Sequence, residues 1–194
     1  CVSISHKLFT RNVEEHKDHP RGNFRIHTDT GDKPQKRYPE MPEVVSFEDG
    51  TLIEPLACVL KGLKRAGLKS LPESTILVIG LGVMGQLNIL ATKRFGAGTI
   101  IGADMVPYRL KKAKEFGAEV IDVSKDSFID SLKELTHGEI ADLVIVGPNS
   151  VEAMEEGISA TGAGGTVLFF TPAKEGERLT IDPNYLYFRD INII

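Results

Sequence analysis

The chain has 194 residues, 41% of them hydrophobic, which is enough for one domain with a substantial core and some appended structure. Its formal charge of -4 comes from interspersed acids and bases with no run of one sign, so neither nucleic acid nor a membrane is expected as a partner, and a small molecule is. Two cysteines, Cys1 and Cys58, exclude a disulfide framework and fit a reducing, cytoplasmic setting, and no apolar run is long enough to cross a bilayer.

The N-terminus lacks the basic-then-apolar order of a secretory signal. A first residue that is Cys1 rather than Met, with the apolar end Ile191-Asn192-Ile193-Ile194, leads us to expect a piece of a longer chain. Residues 1–50 are expected to be loop-rich. His6, His16, His19 and His27 fall among Pro20, Pro34, Pro39 and Pro42 with no sustained period of strand or helix. Cys1, His6, His16 and His19 invite a zinc reading, but their gaps are irregular and the His16/His19 pair abuts Pro20, so an exposed loop is the expected state.

Leu52, Leu56, Val59, Leu60 and Leu63 form an apolar stripe at helical spacing that stops at Gly67, which predicts a linking helix within residues 51–72. Pro55 then belongs in its first turn, where no backbone N–H is demanded. From residue 73 to 194, β-branched runs alternate with amphipathic stretches. Strands are expected at Thr75–Ile79, Thr99–Ala103, Glu119–Asp122, Asp142–Val146, Thr166–Phe170 and Ile191–Ile194. The helices between them are expected at Val83–Phe95, Pro107–Phe116, Lys125–Thr136 and Val151–Thr161. This alternation predicts an α/β fold, a doubly wound parallel sheet of Rossmann type. His137 follows the third of these helices and reads as a helix-end residue, where a cation suits the dipole.

The first strand runs into Gly80-Leu81-Gly82-Val83-Met84-Gly85, a G-x-G-x-x-G loop that opens a helix, and this context gives an otherwise weak motif its meaning. Gly80 permits the tight turn, Gly82 lets a pyrophosphate approach the backbone, and Gly85 allows close packing of helix on strand. The helix N-terminus, at Val83 and Met84, offers unpaired N–H groups to the phosphates. Asp104 closes the second strand roughly twenty residues later, where a carboxylate accepts hydrogen bonds from the adenosine ribose hydroxyls and repels a 2′-phosphate. NAD is therefore expected rather than NADP. Arg109 either flanks the adenine, pairs with Asp104, or is a surface residue. The strand ends at Val146-Gly147-Pro148 and Phe169-Phe170-Thr171-Pro172 are expected to border the cofactor or to be simple turns.

Val45-Ser46-Phe47-Glu48-Asp49-Gly50-Thr51-Leu52-Ile53-Glu54-Pro55-Leu56-Ala57-Cys58-Val59, followed by Gly62 to Gly67 and by the strand and glycine loop, resembles the zinc-dependent medium-chain dehydrogenases, in particular their sorbitol and threonine dehydrogenase branch. Arg109 to Ala118 is similar to the family's segment after the ribose acid, and Gly164-Gly165-Thr166-Val167 to its fifth strand, so the resemblance covers about Glu43 to Ile194. It implies a GroES-like domain that supplies zinc, of which residues 1–50 would be a remnant, and a cofactor domain that supplies NAD. In such enzymes zinc polarises the substrate oxygen while hydride passes between an alcohol or polyol carbon and the nicotinamide.

The resemblance places Glu54 at the metal, directly or through water; read on its own, Glu54 is a first-turn acid that complements a helix dipole. The family's zinc-binding cysteine and its Gly-His-Glu segment do not occur in this chain, and Cys1 alone cannot stand for a four-cysteine zinc lobe. The chain alone is therefore not expected to turn over substrate. An NAD-sensing or regulatory module without catalysis is the alternative, and methyl transfer from a nucleotide cofactor ranks last. The terminal strand is expected at a sheet edge, where such cofactor domains pair into dimers.

Overall fold

Alternation within the strands sets the architecture. In a computed structural model that describes residues 42–67, 73–125 and 127–194, β1 (Thr75–Ile79) turns Ile76 and Val78 to one face and Leu77 and Ile79 to the other, all of them buried. A strand apolar on both faces needs cover on both, and it receives it. Six strands form one parallel sheet in the order β3-β2-β1-β4-β5-β6, with β2 at Thr99–Asp104, β3 at Glu119–Asp122, β4 at Ala141–Val146, β5 at Thr161–Phe169 and β6 at Asn192–Ile193.

A four-residue helix, α1 (Phe47–Gly50), is capped by Ser46, whose hydroxyl accepts from the Asp49 N–H at 3.0 Å. On one face of the sheet, α2 (Ile53–Arg65), α3 (Val83–Arg94) and α4 (Pro107–Glu115) bury Val59, Leu63, Leu87, Leu110 and Ala113 against Ile76, Val78, Ile100, Leu143 and Ile145. On the other, α5 (Phe128–Leu135), α6 (Val151–Ser159) and α7 (Pro183–Arg189) cover Leu77, Ile101, Ile121, Val144 and Val167. This is the doubly wound α/β fold expected from the alternation.

The linking helix forms with Pro55 in its first turn, and Gly67 follows its end at φ +88°. It is also part of the core: a Cβ on Gly62 would meet Leu168 at 3.2 Å and Phe170 at 3.3 Å, so its bare backbone lets α2 lie against β5.

Other boundaries differ from the sequence expectation. The strand expected from Thr166 begins at Thr161, which pairs with Ala141 before the glycine-rich 162–165 segment leaves the ladder; pairing resumes at Thr166 opposite Leu143. α5 starts at Phe128 rather than Lys125 because the Asp122 carboxylate holds Ser124 and Lys125 in a turn. Helices α1 and α7 were not anticipated. His137 lies past the end of α5 at φ +56°, in the left-handed region.

Candidate functional site

The strand order reverses between β1 and β4, and the crevice beyond the carboxyl ends of those strands is where such sheets take ligands. Gly80 follows β1 and Gly147 follows β4. The two are drawn together by the Gly147 N–H, which donates to the Ile79 carbonyl at 2.9 Å, and a Cβ on Gly147 would lie 3.0 Å from that same oxygen. Thr171, just past β5, donates its hydroxyl to the Gly147 carbonyl at 2.7 Å and fixes the third strand end.

The three loop glycines meet distinct surroundings. Gly80 has φ +84°, and a Cβ there would come within 2.8 Å of Pro148 Cδ, so both conformation and space demand glycine. Gly85 sits inside the first turn of α3, where a Cβ would lie 2.1 Å from the Gly80 carbonyl oxygen. Nothing lies within 4 Å of a Cβ built on Gly82. Gly82 is the N-cap of α3 and offers no side-chain cap, so the N-terminus of a twelve-residue helix opens onto clear space. Uncapped N–H groups, helix dipole and open backbone together fit a pyrophosphate.

Leu81 is buried and its side chain packs on β2, where the lack of a Cβ at Gly102 leaves room; a Cβ there would lie 2.9 Å from Leu81 Cδ2. That packing carries the Leu81 N–H to the Asp104 carboxylate, which accepts it through Oδ2 at 2.7 Å. Oδ1 accepts from the Val106 N–H at 2.8 Å, and an Arg109 guanidinium nitrogen stands 3.4 Å from Oδ2. The Asp104 side chain is only 5% exposed whereas that of Arg109 is 48% exposed, so the acid is held inward by two amides and a cation. A carboxylate has about four lone-pair sites, so Oδ1 keeps acceptor capacity for a ribose hydroxyl. Val83, Met105 and Tyr108, all well exposed, stand at the ends of the same elements.

The glycines, Val83, Met84, Asp104, Arg109 and Gly147 are thus gathered at adjoining element ends. The side chains of Val146 and Phe170 serve the core instead. Val146 is wholly buried among the residues under α6, and the Phe170 ring faces Gly62 of α2, while the Phe170 N–H donates to the Val146 carbonyl at 2.9 Å.

Glu54, in the first turn of α2, is exposed and accepts the Cys58 thiol at 3.2 Å. That hydrogen bond raises the Cys58 thiol above its ordinary range, with burial and the Glu54 charge adding to the effect. No group of three or more His, Cys, Asp or Glu side chains able to hold a metal occurs among the described residues, so these residues do not by themselves make a zinc site. Cys1, His6, His16 and His19 lie outside the described residues. Sequence reasoning gave Gln86 no role and named Leu81, Pro148 and Thr171 only as members of the glycine loop and of the two strand-end segments. Pro148 and Thr171 carried a readable signal, each standing at the end of a predicted strand, whereas nothing in the spacing marked Gln86.

A doubly wound sheet with an uncapped glycine loop and an acid closing the second strand defines a dinucleotide-binding domain. Residues 83–194 match the family described as zinc-binding dehydrogenase, and the chain belongs to that family. The sorbitol dehydrogenase of Ovis aries is 34% identical over 132 residues, covering 66% of this chain and 37% of its own length. That of Bacillus subtilis (strain 168) is 32% identical over 126 residues, covering 64% of this chain and 35% of its own. The chain thus spans little more than a third of these relatives.

Among solved structures, the 2R,3R-butanediol dehydrogenase of Bacillus subtilis superposes with a TM-score of 0.70 at 28% identity, over 79% of this chain and 43% of that one. A structure from Sinorhizobium meliloti 1021, assigned as a zinc-binding dehydrogenase and bound to NADP, gives a TM-score of 0.73 at 28% identity, over 78% and 45%. Among the described residues no helix is long and apolar enough to cross a membrane.

Proposed function

We propose that this chain is the NAD-binding portion of a zinc-type oxidoreductase that transfers a hydride between NAD and an alcohol or polyol carbon. The observation that carries the reading is the Asp104 carboxylate, hydrogen-bonded to the amide of the uncapped glycine loop at the strand crossover. In it, Gly80, Gly82, Val83, Met84 and Gly85 hold the pyrophosphate by backbone and helix dipole. Asp104 takes a ribose hydroxyl, with Arg109 standing 3.4 Å from its carboxylate. Gly147 lets the nicotinamide ribose close on the backbone, and Val146 and Phe170 anchor the strand ends beside it. The cofactor supplies the hydride chemistry; this chain binds and orients it.

Residues 1–50 are the remnant of a catalytic domain, 51–72 the linking helix and 73–194 the Rossmann domain in this reading. Zinc belongs to the longer protein, where Glu54 reaches it only together with ligands from outside the described residues. The substrate is a small alcohol or polyol and the setting cytoplasmic, and the cofactor domains pair through the β6 edge.

The Sinorhizobium structure carries NADP, yet a carboxylate beside the 2′ position opposes a phosphate there. Calorimetric titration of the chain with NADH and NADPH tests this. Tighter binding of NADH is expected; no binding, or a preference for NADPH, contradicts the reading.

A further inference from the structure

Gln86 follows the last glycine of the loop, and its carboxamide makes a contact that the loop motif does not require. Nε2 donates to the Leu81 carbonyl at 3.1 Å, inside the glycine loop, and to the Arg109 carbonyl at 2.9 Å, in the first turn of α4. One NH2 group thus ties the pyrophosphate-side loop to the segment that carries Asp104 and Arg109. Its Oε1 is buried and has no hydrogen-bond partner among the described residues, so the carboxamide is retained there despite a desolvated acceptor.

From these contacts we infer that Gln86 is a positioning residue of the dinucleotide site: it fixes the separation of the glycine loop from the ribose-binding segment so that one adenosine diphosphate moiety spans both. The inference rests on the dinucleotide reading proposed above. Its physical basis is the donor inventory. A carboxamide nitrogen offers two hydrogens to two carbonyls, an ionised carboxylate offers none, and a thioether offers none. In Gln86→Glu, an ionised carboxylate would face the Leu81 and Arg109 carbonyl oxygens and push the two segments apart. Once protonated, it donates one hydrogen and restores one of the two ties.

The test is calorimetric titration of the full chain and its Gln86→Met and Gln86→Glu variants with ADP-ribose, from about pH 5 to about pH 8, with melting curves run alongside. Asp104 and Arg109 are common to all three proteins, so each profile is read as the ratio of variant to parent. Loss of two ties, each worth of order a neutral hydrogen bond, predicts roughly tenfold weaker binding in Gln86→Met at every pH. Gln86→Glu is expected to lose at least as much near neutrality and to regain affinity as pH falls. Parent-like binding by both variants overturns the inference, as does a flat ratio for Gln86→Glu. So does a Gln86→Met chain that no longer folds, since the carboxamide would then serve the fold and not the site. A parent chain that binds no ADP-ribose overturns the dinucleotide reading itself, which is a distinct result.

Discussion

A methyl group added at Gly82 and one added at Gly85 meet opposite surroundings. At Gly85 it would lie 2.1 Å from the Gly80 carbonyl, so helix and loop must separate, at a cost of about 1–3 kcal/mol for forced overpacking. Gly85→Ala is therefore expected to lower the melting temperature measurably. At Gly82 the methyl enters clear space at φ -65°, and only the weak N-cap preference is lost, about 1 kcal/mol or less. Gly82→Ala is expected to melt close to the parent while binding NADH roughly tenfold or more weakly. Parent-like NADH binding in Gly82→Ala would remove the pyrophosphate from this loop. The Glu54–Cys58 pair gives a second expectation: in Glu54→Gln the anionic acceptor that raises the thiol is gone, so the Cys58 pKa falls. Iodoacetamide should then alkylate Cys58 faster at a fixed mildly alkaline pH in a Cys1→Ser background. An unchanged rate would mean that the hydrogen bond does not persist in solution. The glycines and Asp104 were legible in the sequence because each answers a local demand at a fixed spacing. Gln86 was not, since its Arg109 contact joins residues 23 apart and no spacing rule marks it.

At the level of elements, the strands could be read wherever burial on both faces left a continuous β-branched run, as in Ile76-Leu77-Val78-Ile79 and Leu143-Val144-Ile145-Val146. β5 was read only in part, because the glycine-rich 162–165 segment hides its start; Thr161 joins the sheet only through Ala141 across the ladder. Helix α7 escaped because seven residues starting on Pro183 show too little period, and Tyr187 and Phe188 point outward, 80% and 77% exposed. The late start of α5 has an electrostatic cause with a testable pH signature. Asp122 accepts from the Ser124 N–H and hydroxyl and pairs with Lys125 at 2.7 Å, and its carboxyl is held down to about 2, chiefly by Lys125 and then Ser124. A folded-state pKa below the unfolded one adds stability above the ordinary carboxylate range, and that stability is lost as pH falls through about 2. Asp122→Asn should therefore denature at a lower urea concentration than the parent near neutrality, and the gap should narrow steadily below about pH 4. A gap independent of pH would assign the turn's stability to something other than this carboxylate.

For the whole molecule, the sheet has two ends and they differ. Among the described residues β3 forms one end and β6 the other, and Ile193 of β6 is exposed, as are Tyr187 and Phe188 of the preceding α7. Both ladder groups of Ile194 face inward, its N–H donating to the Val167 carbonyl at 3.0 Å and its carbonyl accepting from the Phe169 N–H at 2.9 Å. Strand alternation then turns the N–H and carbonyl of Ile193 away from β5, toward whatever lies beyond the edge. Among the described residues no strand pairs with that outward side, and apolar side chains around such an edge make it a template for a second strand. If two copies join there, removing the outward N–H should separate them without disturbing the inward ladder. Ile193→Pro does this, because proline lacks that donor while Asn192 and Ile194 keep their contacts with β5. Light scattering on the parent is expected to give a mass well above the 21.2 kDa of one chain, and on Ile193→Pro a mass near it, with the melting curve little changed. A parent already at the mass of one chain would show that this edge stays unpaired in this chain. A parent and variant that are both dimeric would place the joint on another surface.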